Sequence, residues 1–197
     1  MGINGGIVKS RRTEIIEAAE RLFRDKGYLA TTMRDIAAET KLQGGGSLYA
    51  HIKGKEDLLW EIATEAIDGF FAAVYPITTQ DLPPDQKLRE AIIAHIEVIS
   101  TRLSAAAVYF DEWRHLTQPR RDQFLARRDE YEQLFELLIR AGSQQGVFVV
   151  PDERLATLHV LGAMNAVRHW YKPDGRLNAH QLADGIATML LNGLQGR

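Results

Sequence analysis

An all-α fold follows from three features of the sequence. Apolar residues recur at helical spacing through most of the chain, no segment alternates at strand period over a strand's length, and glycine or proline punctuates the periodic stretches. The apolar run at residues 147–150 is too isolated to found a sheet.

Residues 12–26 put Ile15, Ile16, Ala18, Ala19, Leu22 and Phe23 on one wide stripe, and Gly27 stands where a helix stops. The Thr32 hydroxyl is placed to cap a second helix beginning at Met33, with Asp35 near the positive end of its dipole. Leu42-Gln43-Gly44-Gly45-Gly46 reads as a turn, because each glycine costs about 1 kcal/mol relative to alanine inside a helix. A short helix over 47–52 follows, with Leu48 and Ile52 one turn apart, and Gly54 ends it. Three short helices with a tight turn before the last form the arrangement that lays a recognition helix in a major groove.

A long amphipathic helix is predicted over 55–75 on Leu58, Leu59, Ile62, Ala63, Ala66, Ile67, Phe70 and Phe71, closed by a proline-bearing loop at 76–84. Five more helices are predicted over 88–103, 104–116, 120–145, 152–171 and 178–194, for about nine in all. The expected division is a helix-turn-helix head with a flexible N-terminal arm at 1–54 and a larger helical body at 55–197. The last two helices carry small and apolar residues on more than one face, which suits the inner core of a monomer or half of a two-fold four-helix interface. Two-fold reading of DNA by so short a head favours the dimer.

Composition narrows the function. The 197 residues, 22.2 kDa, can bury a core without staples, and the absence of cysteine excludes disulfides, thiolate metal sites and cysteine nucleophiles. Net charge is −2, but residues 1–55 hold ten Lys and Arg against six Asp and Glu while the remainder is acidic, so only the front quarter is built to meet an anion. No stretch reaches 18 apolar residues and the first eight residues are too short for a signal sequence, which reads as a soluble, cytoplasmic protein with no membrane partner. The six histidines show no tight metal spacing, and no G-x-S-x-G, P-loop or dinucleotide fingerprint occurs. Asp111 and Glu112 are adjacent and do not share a helical face. Neither an enzyme, a metal site nor a cofactor is expected.

Two sets of motifs carry a resemblance. Ile15-Ile16-x-Ala18-Ala19-x-x-Leu22-Phe23-x-x-x-Gly27-Tyr28-x-x-Thr31-Thr32-Met33-x-x-Ile36-Ala37, followed by Gly46-Ser47-Leu48-Tyr49-x-His51-Ile52-x-x-Lys55-Glu56-x-Leu58-Leu59, resembles the head of the TetR family of bacterial transcriptional regulators. The resemblance implies a helix-turn-helix domain followed by a helical ligand-binding and dimerisation domain. One departure stands out: Leu42 to Tyr49 is one residue longer than the usual step, and Lys41 replaces the customary turn glycine. Such an insertion starts the recognition helix late or rotates it. Farther on, Glu112-Trp113-Arg114-x-Leu116, Arg128-x-x-Tyr131 and Leu161-Gly162-x-Met164-Asn165-x-x-x-x-Trp170-Tyr171-x-Pro173-x-Gly175 resemble the branch that controls fatty-acid or sterol degradation and is released from DNA by acyl-CoA thioesters.

The expected DNA contacts are Thr32, Arg34, Gln43, Gly45, Gly46, Ser47, Tyr49, His51 and Lys55. Hydroxyls, amides and cations meet phosphates and set register, which gives that work to Thr32, Tyr49, His51 and Lys55, although Thr32 also serves as a helix cap. Gln43, Ser47 and Arg34 offer the chemistry that reads base edges, and the glycines let the backbone approach the duplex. The expected ligand contacts are Ile99, Arg102, Leu103, Phe110, Trp113, Arg114, Arg128, Phe135 and Asn165. The apolar members line a tunnel or fill a core equally well by pattern alone. Arg120, Arg121, Arg127 and Arg128 form a cluster suited either to coenzyme A phosphates or to a solvated face paired with Asp129 and Glu130. Asn165, on an apolar surface, needs a partner for its amide.

The expected function is a ligand-responsive homodimeric repressor of lipid degradation genes, bound to a palindromic operator and released by an acyl-CoA effector. The alternatives are a TetR-like repressor answering a hydrophobic drug-like compound, with Glu112 beside Trp113 in its pocket, and a helical enzyme or scaffold without a regulatory role.

Overall fold

The computed structural model describes residues 10–40 and 52–195. Among them are nine α-helices, one 3-10 turn and no strand, in accord with the expected all-α class. Helix α1 (Arg11–Lys26) is capped by the Ser10 hydroxyl, which accepts from the Thr13 amide at 3.1 Å. It stops at Gly27, whose φ of 83° suits a residue without Cβ and whose N–H closes on Phe23 O at 3.0 Å. Helix α2 (Met33–Glu39) opens on a reciprocal cap: Thr32 Oγ1 accepts from the Asp35 amide while the Asp35 carboxylate accepts from Thr32 N–H.

Helix α3 (Lys55–Thr78) runs three residues past its predicted end, straight through Pro76. A proline in the last turn forfeits one hydrogen bond, and burial of Val74 and Ile77 on either side offsets that loss. Helix α4 (Pro84–Thr101) begins four residues earlier than predicted because Pro84, fixed near helical φ and lacking a donor, occupies the first helical position. The chain then turns 102° at Arg102, which leaves helical geometry at φ −130° and ψ 49°, into α5 (Leu103–Asp111). The predicted helix over 104–116 is therefore short, and it gives way to a 3-10 turn at Trp113–His115. There the His115 ring stacks on Tyr28 of the head at 5.3 Å, a contact that a continuing helix would not make.

Helix α6 (Arg120–Gln144) matches expectation. The segment predicted as one helix over 152–171 is two, α7 (Glu153–Asn165) and α8 (Val167–Trp170). Arg168 Nη1 takes the Asn165 carbonyl at 2.6 Å, and His169 N–H moves to Ala166 O at 3.0 Å, tightening the ladder at the break. Helix α9 (Ala179–Leu194), capped by Asn178 and Gln181, packs along α4.

One apolar core runs from Ile15 and Phe23 of the head through α3 to Ile186 and Leu191 of α9. Helix α3 packs against α4, α5 and α6, while α1 rests on both α2 and α5. No single helix among the described residues is long and apolar enough to cross a membrane. After α6, the Val147 and Phe148 amides both close on Gly142 O, folding the Phe148 ring onto Gly142. A Cβ at Gly142 would lie 2.2 Å from that buried ring. Gly142→Ala is expected to destabilise the fold by about 1–3 kcal/mol through overpacking, read as a lower urea midpoint with unchanged slope.

Candidate ligand cavity and DNA-binding head

In the head, Thr32 and Arg34 are exposed at the start of α2. The Thr32 hydroxyl donates to the Asp35 carboxylate at 2.7 Å and, with the backbone bond, holds that carboxyl below its usual range. Lys55 is more deeply engaged than its position predicts. Its ammonium donates to Tyr28 O at 2.8 Å and Thr31 O at 2.9 Å and lies 4.2 Å from the Tyr28 ring centre, so it fastens the first turn of α3 to the loop between α1 and α2. Gln43, Gly45, Gly46, Ser47, Tyr49 and His51, and with them the inserted residue, lie outside the described residues.

In the body, a cavity of about 190 Å³ lies between α3, α4, α5, α6 and α7. Its aromatic walls are Phe70, Tyr109, Phe110 and Tyr131, with Leu158, Leu161 and Gly162 from α7. Three polar groups enter it in an ordered chain. His95, fully buried on α4, bonds through Nδ1 to the Tyr131 hydroxyl at 2.8 Å and through Nε2 to Asn165 Oδ1 at 3.0 Å. Burial pushes the His95 pKa down to about 4, and burial also raises the Tyr131 and Tyr109 phenols, so all three are neutral at pH 7.

The charged lining divides sharply. Glu132 meets Arg154 at 2.7 Å. Arg128 has no carboxylate within ion-pair distance among the described residues; its guanidinium lies 5.4 Å from the Trp113 ring centre and bonds to Tyr109. The arginine cluster is thus split by helical phase: Arg120 pairs with Asp57 of α3, Arg127 pairs with Asp68 and Glu130, and Arg128 alone turns to the cavity.

Residues 15–62 match the family model for bacterial regulatory proteins of the tetR family, and residues 81–194 match that of the tetracyclin repressor-like C-terminal domain. The chain belongs to the TetR family of bacterial regulators. It is 31% identical over 186 residues to the HTH-type transcriptional repressor KstR2 of Rhodococcus jostii, covering 93% of this chain and 91% of that one. The structure of the ketosteroid transcriptional regulator KstR2 of Mycobacterium tuberculosis superposes with a TM-score of 0.90 at 29% identity, covering 98% of each chain. AibR, solved in complex with isovaleryl coenzyme A and operator DNA, gives 0.82 at 32% identity, covering 92% of this chain and 98% of that one. The protein is therefore a helix-turn-helix DNA-binding regulator of the TetR family and not an enzyme.

Of the ligand residues expected in this TetR regulator, the fold brings Phe110, Arg128 and Asn165 into the cavity, with Trp113 behind Arg128. Ile99 and Phe135 are fully buried in the core and do not line it, although Phe135 packs edge-on against His95. Arg114 is exposed on the 3-10 turn. Arg102 and Leu103 line a different groove, because the bend at Arg102 turns them toward the head: the guanidinium meets Glu65 of α3 at 2.9 Å and Glu20 of α1 at 3.7 Å. Glu112 faces His115 at 3.4 Å and not the cavity. His95, Tyr109 and Phe70 were missed by sequence reasoning. The one signal was His95 itself, a polar side chain among Ile92, Ile96 and Ile99 on an apolar stripe.

Burial of neutral His95 makes stability pH-dependent with a definite sign. Above pH 6.5 neither state holds the proton; between 6.5 and about 4 the unfolded chain binds it and the folded one does not. Stability should therefore fall by about 3 kcal/mol as pH drops through that window and level off below it. Urea unfolding of the protein and its His95→Gln variant across pH 4–7 checks this, the variant losing that slope.

Proposed function

We propose that the protein is a homodimeric repressor released from its operator by an acyl-CoA thioester and controlling lipid degradation genes. The observation that carries this reading is the cavity: apolar and aromatic walls for an acyl group, and one guanidinium, Arg128, left without a carboxylate partner to receive the anionic part of the ligand. A small cavity with a cationic side suits a thioester better than a hydrophobic cation, since Glu132 is neutralised by Arg154 and Glu112 is turned away. The isovaleryl coenzyme A held by AibR supports the thioester class, and the ketosteroid transcriptional regulator KstR2 supports the field of metabolism.

Two-fold assembly rests on exposed apolar residues of the last long helices, Leu155 and Leu158 on α7 and Met189 on α9, with Gly185 beside them allowing close approach. Two heads would then occupy the half-sites of a palindrome about one helical turn apart, with Thr32, Arg34, Gln43, Gly45, Gly46, Ser47, Tyr49 and His51 as the residues proposed to meet the duplex. Lys55 acts by holding the head loop to α3.

The route from cavity to head is short. Phe110 at one end of α5 lines the cavity, and Ser104 at the other end accepts from Arg24 of α1 at 2.6 Å. Phe70 of α3 lines the same cavity, and about 22 Å along that helix Lys55 grips the head loop. A ligand that separates α5 from α3 therefore favours a dimer with mis-spaced heads, and by linkage bound DNA weakens ligand binding by the same factor.

Fluorescence anisotropy with the protein's own promoter fragment tests this reading. Operator affinity should fall steeply with salt and fall again on adding isovaleryl-CoA or hexanoyl-CoA, while free coenzyme A has little effect. Arg128→Ala should weaken thioester binding roughly 10- to 100-fold and leave operator affinity unchanged. Unaltered operator affinity at saturating thioester would overturn the proposal.

A further inference from the structure

The direction of the hydrogen bonds in the cavity fixes what its last polar group can do. Asn165 Oδ1 only accepts, so the His95 nitrogen that faces it at 3.0 Å carries the proton. The opposite nitrogen then holds a lone pair, and the Tyr131 hydroxyl donates to it at 2.8 Å. The chain runs one way, from Tyr131 through His95 to the Asn165 oxygen. The Asn165 NH2 group finds no acceptor among the described residues although Asn165 lines the cavity.

We propose that this group is the specificity donor of the cavity, and that the effector is a compact acyl thioester whose acyl group carries its own acceptor oxygen, a ketone or hydroxyl. The inference rests on the acyl thioester reading above and deepens it. A hydrocarbon chain pressed against the amide would strip its water and return no hydrogen bond, whereas a carbonyl or hydroxyl oxygen completes the relay. His95 and Tyr131 touch no ligand in this scheme; they are positioning residues that fix the amide's orientation, so that its oxygen faces the imidazole and its donors face inward. Size sets the other limit. At about 190 Å³ the cavity is somewhat larger than the roughly 150 Å³ that accepts a benzene ring, which fits a single ring or a short branched chain and not a fused ring system.

The test is calorimetric titration of the full-length protein with a matched pair, cyclohexanecarbonyl-CoA and 4-oxocyclohexanecarbonyl-CoA. The oxo compound is expected to bind about tenfold tighter or better. Asn165→Asp keeps an acceptor for His95 and the side chain's shape but removes both donors, and it should abolish the preference. Tyr131→Phe, which frees the imidazole to turn, should reduce it. The ratio of the two affinities within each variant cancels any general loss of stability, which circular dichroism records separately. Equal affinities in the parent protein, or a preference that survives Asn165→Asp, overturn this inference and leave the thioester reading standing; failure of both thioesters to bind overturns the two together.

Discussion

Nine buried positions along α3, from Leu58 to Ile77, form the apolar stripe on which the rest of the molecule depends. Its first turns are shared with the head, where α1 packs on them, and its middle and last turns are covered by α4, α5 and α6. Close-packed interiors transmit displacement because their side chains have no free volume to absorb it. Phe70 at the cavity and Lys55, on whose ammonium three backbone carbonyls of the head loop converge, lie on this one helix. The polar contacts beside the stripe, Arg12 with Glu61, Glu56 with Thr117 and Arg102 with Glu65, fix its rotation more than they add stability, since such partly exposed pairs contribute little.

Against that apolar background the cavity is a deliberate local conflict. Placing a histidine, a tyrosine hydroxyl and an asparagine amide inside an aromatic cluster costs desolvation free energy unless their hydrogen bonds are made. They are made in one direction only, which leaves the Asn165 donor and a guanidinium without a carboxylate partner beside the cavity. Sequences break their own patterning where function requires it, and His95 on the isoleucine face of α4 is such a break. Helix α5 then connects this conflict to the head: Asp111 at its C-terminal end binds Arg168 at 2.9 Å, and Arg168 is the residue that interrupts the ladder between α7 and α8.

Legibility in the sequence followed the range of the interactions involved. The Thr32 cap and the stop at Gly27 are contacts within three or four residues, and the helix ends they set lie where pattern places them. Arg128 and Asn165 lie in the motifs quoted for the family, and Phe110 belongs to the apolar set that pattern left open between core and tunnel; all three line the cavity. Arg102 and Leu103 were assigned to the same site by proximity along the chain, and the bend between them carried both to the opposite side of α5. Arg120, Arg127 and Arg128 could not be told apart by charge, only by helical phase relative to a neighbour that the sequence does not specify.

The amino-acid sequence by itself determined the helical class, the order of the helices, most of their ends and the membership in a regulator family, because periodicity, capping and motif spacing are local properties. Tertiary structure alone decided the 102° turn at Arg102, the break after Asn165 and whether the aromatic residues of the body fill a core or surround a cavity. No proline or glycine marks either break. The turn at Arg102 accompanies the packing of α5 on α1, with Glu20 and Glu65, distant in sequence, receiving its guanidinium, and at the break after Asn165 the Arg168 guanidinium takes the Asn165 carbonyl and pairs with Asp111. A hydrophobic stripe records that a face is buried; what it is buried against, and whether space remains, depends on helices far away along the chain.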